Sequence, residues 1–191
     1  MRFKIKRRLL YLGLGAAVFL IAYSVGAAVP MSDEEAAQVR QEFADQIGDI
    51  NENGIFVNNV RIALGMFIPA AGAGLGIFSG FATGSVFSAL AHSSPELAGI
   101  PPLAILITPF GIMEVVAYGI AMSRSGMLVH RIVKDKPWRK GNGRPFFRNS
   151  LVPTFIEMGI VAVVLFAGAV VEWAMIQQLG GLETSTVIGR A

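Results

Sequence analysis

Apolar residues run from Leu9 to Val29 without a single charge. As a helix these 21 residues would measure about 31 Å, enough to cross the hydrocarbon core of a bilayer. The basic start and the small pair Ala27-Ala28 would also suit a signal peptide. The run is longer than the roughly 7–15 apolar residues of such a peptide, so a retained helix is expected.

The pattern then changes. Ser32-Asp-Glu-Glu35 is a capping box, in which a hydroxyl accepts from an early backbone N–H and a carboxylate reaches back. Val39, Phe43, Ile47 and Ile50 follow at helical spacing with acids on the opposite face. This predicts an amphipathic helix within 31–54. Its stripe would either pack on the protein's own membrane domain or dock a partner.

Two long apolar stretches come next. Residues 55–91 are interrupted at Pro69, after which Gly72, Gly76, Gly80, Gly84 and Ser88 recur every four residues. On a helix they form one small-residue face that lets backbones approach closely in lipid, within the chain or between chains. The stretch has no Gly-Lys-Ser/Thr element, so a phosphate loop is not expected. Residues 97–129 are broken at Pro109-Phe-Gly111. A last span covers about 151–176, followed by a polar tail.

Charge gives these spans a direction. The chain is 53% hydrophobic and 15% charged, against about 25% charged in an average soluble domain. Arg2, Lys4, Lys6, Arg7 and Arg8 precede the first span, and Arg131, Lys134, Lys136, Arg139, Lys140, Arg144 and Arg148 precede the last. Acids dominate 33–52. Bases beside apolar runs put both basic blocks in the cytoplasm, and they account for the high isoelectric point without nucleic acid as a partner. Trp138 and Trp173 suit interfacial anchors.

An odd number of crossings must therefore join the external acidic helix to the internal loop 131–148. Either three crossings do so, near 59–78, 79–93 and 101–123, or one long tilted helix through 91 is followed by a re-entrant hairpin bent at Pro109-Phe-Gly111. The fold class is an all-α polytopic transmembrane bundle with five crossings, or three plus the hairpin, and one external amphipathic helix. Its parts are 1–30 (basic start and first span), 31–54 (acidic helix), 55–129 (glycine-rich membrane core), 130–149 (basic loop), 150–178 (last span) and 179–191 (external tail).

Candidate chemistry is sparse. Cys is absent and only His92 and His130 are present, so thiol chemistry and His-rich metal sites are not expected, nor is any cofactor. The intramembrane polar candidates are Arg61, Glu114, Arg124 and Glu172. A charge deep in a helix costs roughly 2.5–3.5 kcal/mol to insert and usually pairs inside the bundle. Arg124 is about 15 Å from Glu114 along one helix, which makes Arg61 the expected partner. Glu114 accepting from N–H groups freed at the Pro109 break is the other structural possibility. A proton or ion relay with Glu172, or contact with another subunit, are the functional ones. Glu157 and Glu172 lie nearer span ends, where water is easily reached.

Several elements resemble the stage II sporulation protein M family of polytopic membrane proteins. They are Asn58-Asn-Val-Arg-Ile-Ala-Leu64, Gly72-Ala-Gly-Leu-Gly76, Pro109-Phe-Gly-Ile-Met-Glu114 and Val171-Glu172-Trp. The similarity covers roughly 55–178. The family typically has Pro-His-Gly in the third element, where Phe110 replaces the His, and its aromatic Asn-Gly signature is replaced by Ser79-Gly-Phe-Ala-Thr-Gly84. The resemblance implies a multispanning protein without an established enzymatic activity. The engulfment role of its sporulating representative does not carry over, since the family extends to organisms that never sporulate. The expectation is a non-catalytic scaffold or accessory subunit in the plasma or inner membrane, with a cytoplasmic N-terminus and with lipids and other membrane subunits as partners. The rival is a small oligomeric channel or transporter using Glu114.

Overall fold

A computed structural model of the protein describes residues 2–47, 51–93, 101–139 and 141–188. It is all-α. The helices are α1 (Arg2–Ala27), α2 (Asp33–Ile47), α3 (Glu52–Gly65), α4 (Ala71–Ser93), α5 (Pro102–Leu106), α6 (Pro109–Asp135), α7 (Gly143–Phe146) and α8 (Val152–Ile188), with a π-helical turn at Phe147–Leu151 joining the last two. Four stretches within these helices are long and apolar enough to cross a membrane: Arg8–Ala27, Ala71–Ala91, Pro109–Asp135 and Gly143–Gln178.

Helix boundaries follow local chemistry. The capping box closes α2: Ser32 N–H donates to Glu35 Oε2 at 2.8 Å, and Glu35 N–H donates to Ser32 Oγ at 3.3 Å. Asn51 caps α3 by accepting from Gly54 N–H at 2.9 Å. The break around Pro69 is real, and Ala70 turns the chain there with φ +69°. Pro109 stands in the first turn of α6, where its missing N–H costs nothing, and Thr108 caps that helix by accepting from Gly111 N–H at 3.2 Å. The Pro109 break therefore separates α5 from α6.

Side-chain meetings give the relative directions. Arg8 reaches Ser123 while Gly15 meets Gly119, so α1 and α6 are antiparallel. Gly80 lies on Phe19 and Gly84 on Tyr23, so α4 runs parallel to α1. Asn59 meets Glu114 and the carbonyl of Ile68 meets Ser125, so α3 runs with α6. Glu157 meets Arg124 and Gly168 lies against Met113, so α8 opposes α6. Helices α1, α4 and α8 thus point one way, and α3 and α6 the other. The acidic helix α2 follows the end of α1, and the basic loop follows the end of α6. The two regions sit at opposite ends of the bundle.

Close backbone approach holds α1, α4 and α6 together. A Cβ on Gly84 would stand 2.1 Å from the Tyr23 carbonyl oxygen, and one on Gly26 2.0 Å from that of Phe81. Gly80 and Gly76 press on Phe19 and Met122 in the same way, while Gly72 fits against Met66 and Ser125. The glycine face is therefore covered within the chain, and Ser88 continues it half-buried. Around it Phe19, Met66, Tyr118, Met122, Val161 and Leu165 form the core.

Two expectations change in detail. The stretch after the acidic helix opens with the short α3, of 14 residues and about 21 Å, and the helices within 55–129 begin and end at the bounds of α3, α4, α5 and α6 and not at 59–78, 79–93 and 101–123. The last span and the polar tail from 179 form one helix as far as Ile188. Ser94, whose side of the membrane separates the two expected topologies, lies outside the described residues, as do the side chains of His92, Phe43 and Ile47.

Candidate functional site

The polar side chains of the spans fall into two groups. At the basic-loop end, α8 presents Glu157 between two arginines. Arg8 of α1 donates from Nε to Glu157 Oε1 at 3.1 Å and from a terminal nitrogen to Oε2 at 2.7 Å. Arg124 of α6 donates from Nε to Oε2 at 2.7 Å and from its own terminal nitrogen to Oε1. Two planar forks thus grip one carboxylate, an arrangement in which charge-assisted bonds are strong and directional. Arg8 also donates to Ser123 Oγ. The side chains are 23%, 13% and 18% exposed for Arg8, Arg124 and Glu157. The cluster ties α1, α6 and α8 together and carries one excess positive charge.

Toward the acidic-helix end stands the second group. Asn59 of α3 donates from Nδ2 to Glu114 Oε1, and Asn58 donates to Asn59 Oδ1 at 3.4 Å. Glu172 of α8 lies near enough to Glu114 to act on it electrostatically, and Tyr23 and Tyr118 feel the same carboxylate. Tyr23 donates its hydroxyl to the Pro102 carbonyl at 2.7 Å. This group has two carboxylates, and among the described residues no cation is bonded to either.

Several expected pairings are redistributed. Arg61 does not pair with Glu114: it lies on an exposed face of α3, and the neighbouring Asn59 takes the bond. The Thr108 cap accounts for Gly111 N–H, so that N–H is not the donor to Glu114 either. Arg124 pairs with Glu157, an acid near the start of the last span. Glu157 and Arg8 are the functional candidates that the sequence reading missed. A signal existed, since Arg8 is the last base before an uncharged run and Glu157 is the first acid after the basic loop. Asn58-Asn59, a polar pair inside an apolar stretch, was a signal too.

Outside the spans, α2 is anchored to the bundle. Ala36 is fully buried, Val39 half-buried, and Arg40 donates to the Ala89 carbonyl at 3.3 Å. The Glu35 carboxyl is held below its ordinary pKa by the Ser32 backbone N–H first and the Ser32 hydroxyl second. Trp138 is exposed in the basic loop and Trp173 half-buried on α8. Among the described residues no group of three His, Asp or Glu side chains could hold a metal ion.

Comparison with known proteins gives one family. The sequence model of stage II sporulation protein M matches residues 15–175. No curated protein and no solved structure matches the chain.

Proposed function

The chain belongs to the stage II sporulation protein M family of membrane proteins, and from that premise we propose that it is a non-catalytic scaffold or accessory subunit of a larger membrane complex. The observation that carries this reading is the use of the intramembrane charge. Arg8 and Arg124 each donate to Glu157 across three helices, an arrangement that serves rigidity and not turnover. A rigid bundle is what a scaffold requires to hold an acidic helix at one end and a basic loop at the other. The anchoring of α2 through Ala36 and Arg40 supports a fixed presentation of its acidic face.

Within this reading the N-terminus and basic loop are cytoplasmic, and the chain crosses five times through α1, α3, α4, α6 and α8. The alternating helix directions and the positive-inside pattern support it. One face of the short α3 packs on α8, α6 and α4, which supports its place in the bundle. Labelling of Ser94→Cys, the only thiol in the chain, should occur from outside; labelling from the cytoplasm contradicts five crossings.

Gentle detergent extraction with crosslinking and mass spectrometry tests the scaffold itself. A stable neighbour chain should copurify. A lone monomer under every mild condition overturns the proposal. One observation favours the rival transport reading, namely the nearness of Glu172 to Glu114. Reconstituted Glu114→Gln protein that moves protons or ions as wild type does would remove it.

A further inference from the structure

We propose that the cytoplasmic half of the bundle holds one anionic phospholipid in a groove between α1, α4 and α6. The groove measures about 600 Å³. Its apolar wall comes from Tyr11, Leu14 and Val18 of α1, Ala73 of α4 and Met122 and Met127 of α6. Tyr11, Leu14 and Val18 are 47%, 53% and 38% exposed, so the groove opens sideways, where acyl chains would be. From Met122 to Lys134 it follows α6 for about 18 Å, close to half of the roughly 30 Å hydrocarbon core plus the start of the headgroup layer.

The chemistry changes along that length in the order a phospholipid changes. The apolar wall ends at His130, Arg131 and Lys134. Arg131 and Lys134 also line a second, more polar hollow of about 350 Å³, which continues past Asn142 and Asn149. A chain would lie along α1, a phosphodiester would reach Arg131 and Lys134, and a hydroxylated headgroup would meet the two asparagine amides. Asp135 is the acid in this hollow, and Arg131 donates to it at 3.3 Å. Both partners remain partly open to solvent, so Arg131 can turn its other N–H groups to a phosphate. With Lys134 beside it the local balance is positive. That selects a lipid of net negative charge over a zwitterion. Charge complementarity and the lateral opening together commit the groove to a lipid and not to a polypeptide helix.

The test is retention of phosphatidylglycerol against phosphatidylcholine by the purified full chain in detergent, read by native mass spectrometry. One phosphatidylglycerol should be retained, at least about tenfold better than phosphatidylcholine. The double substitution Arg131→Gln with Lys134→Gln should lose that preference, whereas Arg139→Gln with Arg148→Gln, equal in charge but away from both hollows, should keep it. Gly126→Trp is the independent variant. Nothing lies within 4 Å of a Cβ placed on Gly126, so a side chain can start into the groove there without meeting backbone. It should reduce retention at least fivefold while helical content and elution volume stay unchanged. Equal retention of both lipids, wild-type retention in Gly126→Trp, displacement by excess inorganic phosphate alone, or crosslinking of Gly126→Cys to another polypeptide would each overturn the proposal.

Discussion

Glu114 and Arg124 stand ten residues apart on α6 and belong to clusters of opposite composition. The cluster at the basic-loop end gives one carboxylate two guanidinium forks, whereas the cluster toward the acidic-helix end gives two carboxylates one amide donor. Each fork is satisfied only while the three helices keep their register, so the first cluster works as a clamp. The second makes few demands on register, because a neutral carboxyl or an amide could fill its place. The apolar character of the surrounding spans thus conceals a division of labour between a fastened end and a chemically loaded one.

Substitutions can break or sharpen that contrast. The largest effect should come from Glu157→Leu, which strands Arg8 and Arg124. Loss of one partner from this partly buried charge cluster should cost up to about 3–5 kcal/mol, the value for a fully buried pair, and denaturant unfolding in detergent would measure it. Gly84→Leu drives a side chain into the Tyr23 carbonyl and should cost about 1–3 kcal/mol or more. It should lower the yield of folded protein while leaving the bonds of Arg8 and Arg124 to Glu157 in place. Asn59→Leu removes the donor to Glu114, and an unsatisfied buried acceptor costs about 1–3 kcal/mol. Adding Glu114→Gln to Asn59→Leu should recover part of that loss, because the stranded group is no longer a carboxylate.

The smallest effect lies outside the spans. The Glu35 pKa is lowered in the folded protein, so its contribution is present above the ordinary glutamate range. It disappears as pH falls through the lowered value. Protection of the amides at the start of α2, taken relative to the intrinsic exchange rate at each pH, should therefore fall in acid, and Glu35→Gln should show the reduced protection already at neutral pH. No change in either would mean that the capping box does not hold this end of the helix.

The sequence carried the helical class, the membrane setting, the cap at Ser32, the break near Pro69 and the small-residue face through Gly72 and Gly84, because each is written in a short local pattern. It did not carry the clusters. Whether Glu114 meets Arg61 or Asn59 depends on a difference of two positions on α3, which is a little over half a helical turn. Pairing Arg8 with Glu157 joins the two end regions of the chain and required the fold. The partners of the glycines on α1 were equally hidden. Gly15 and Gly26 lie in a run whose pattern shows only a membrane-crossing helix, yet they meet Gly119 and Phe81. Likewise Arg131, Lys134 and Gly126 stood out in no motif, and only the assembly of α1, α4 and α6 makes a groove of them.

The contrast between clamp and loaded end is tested most directly by one paired measurement, the unfolding midpoints of Glu157→Gln and Glu114→Gln in the same detergent. Both changes remove one negative charge and keep the side-chain shape. The account predicts a large drop for Glu157→Gln and little change, or a small gain, for Glu114→Gln. Equal drops, or a larger one at Glu114, would contradict it.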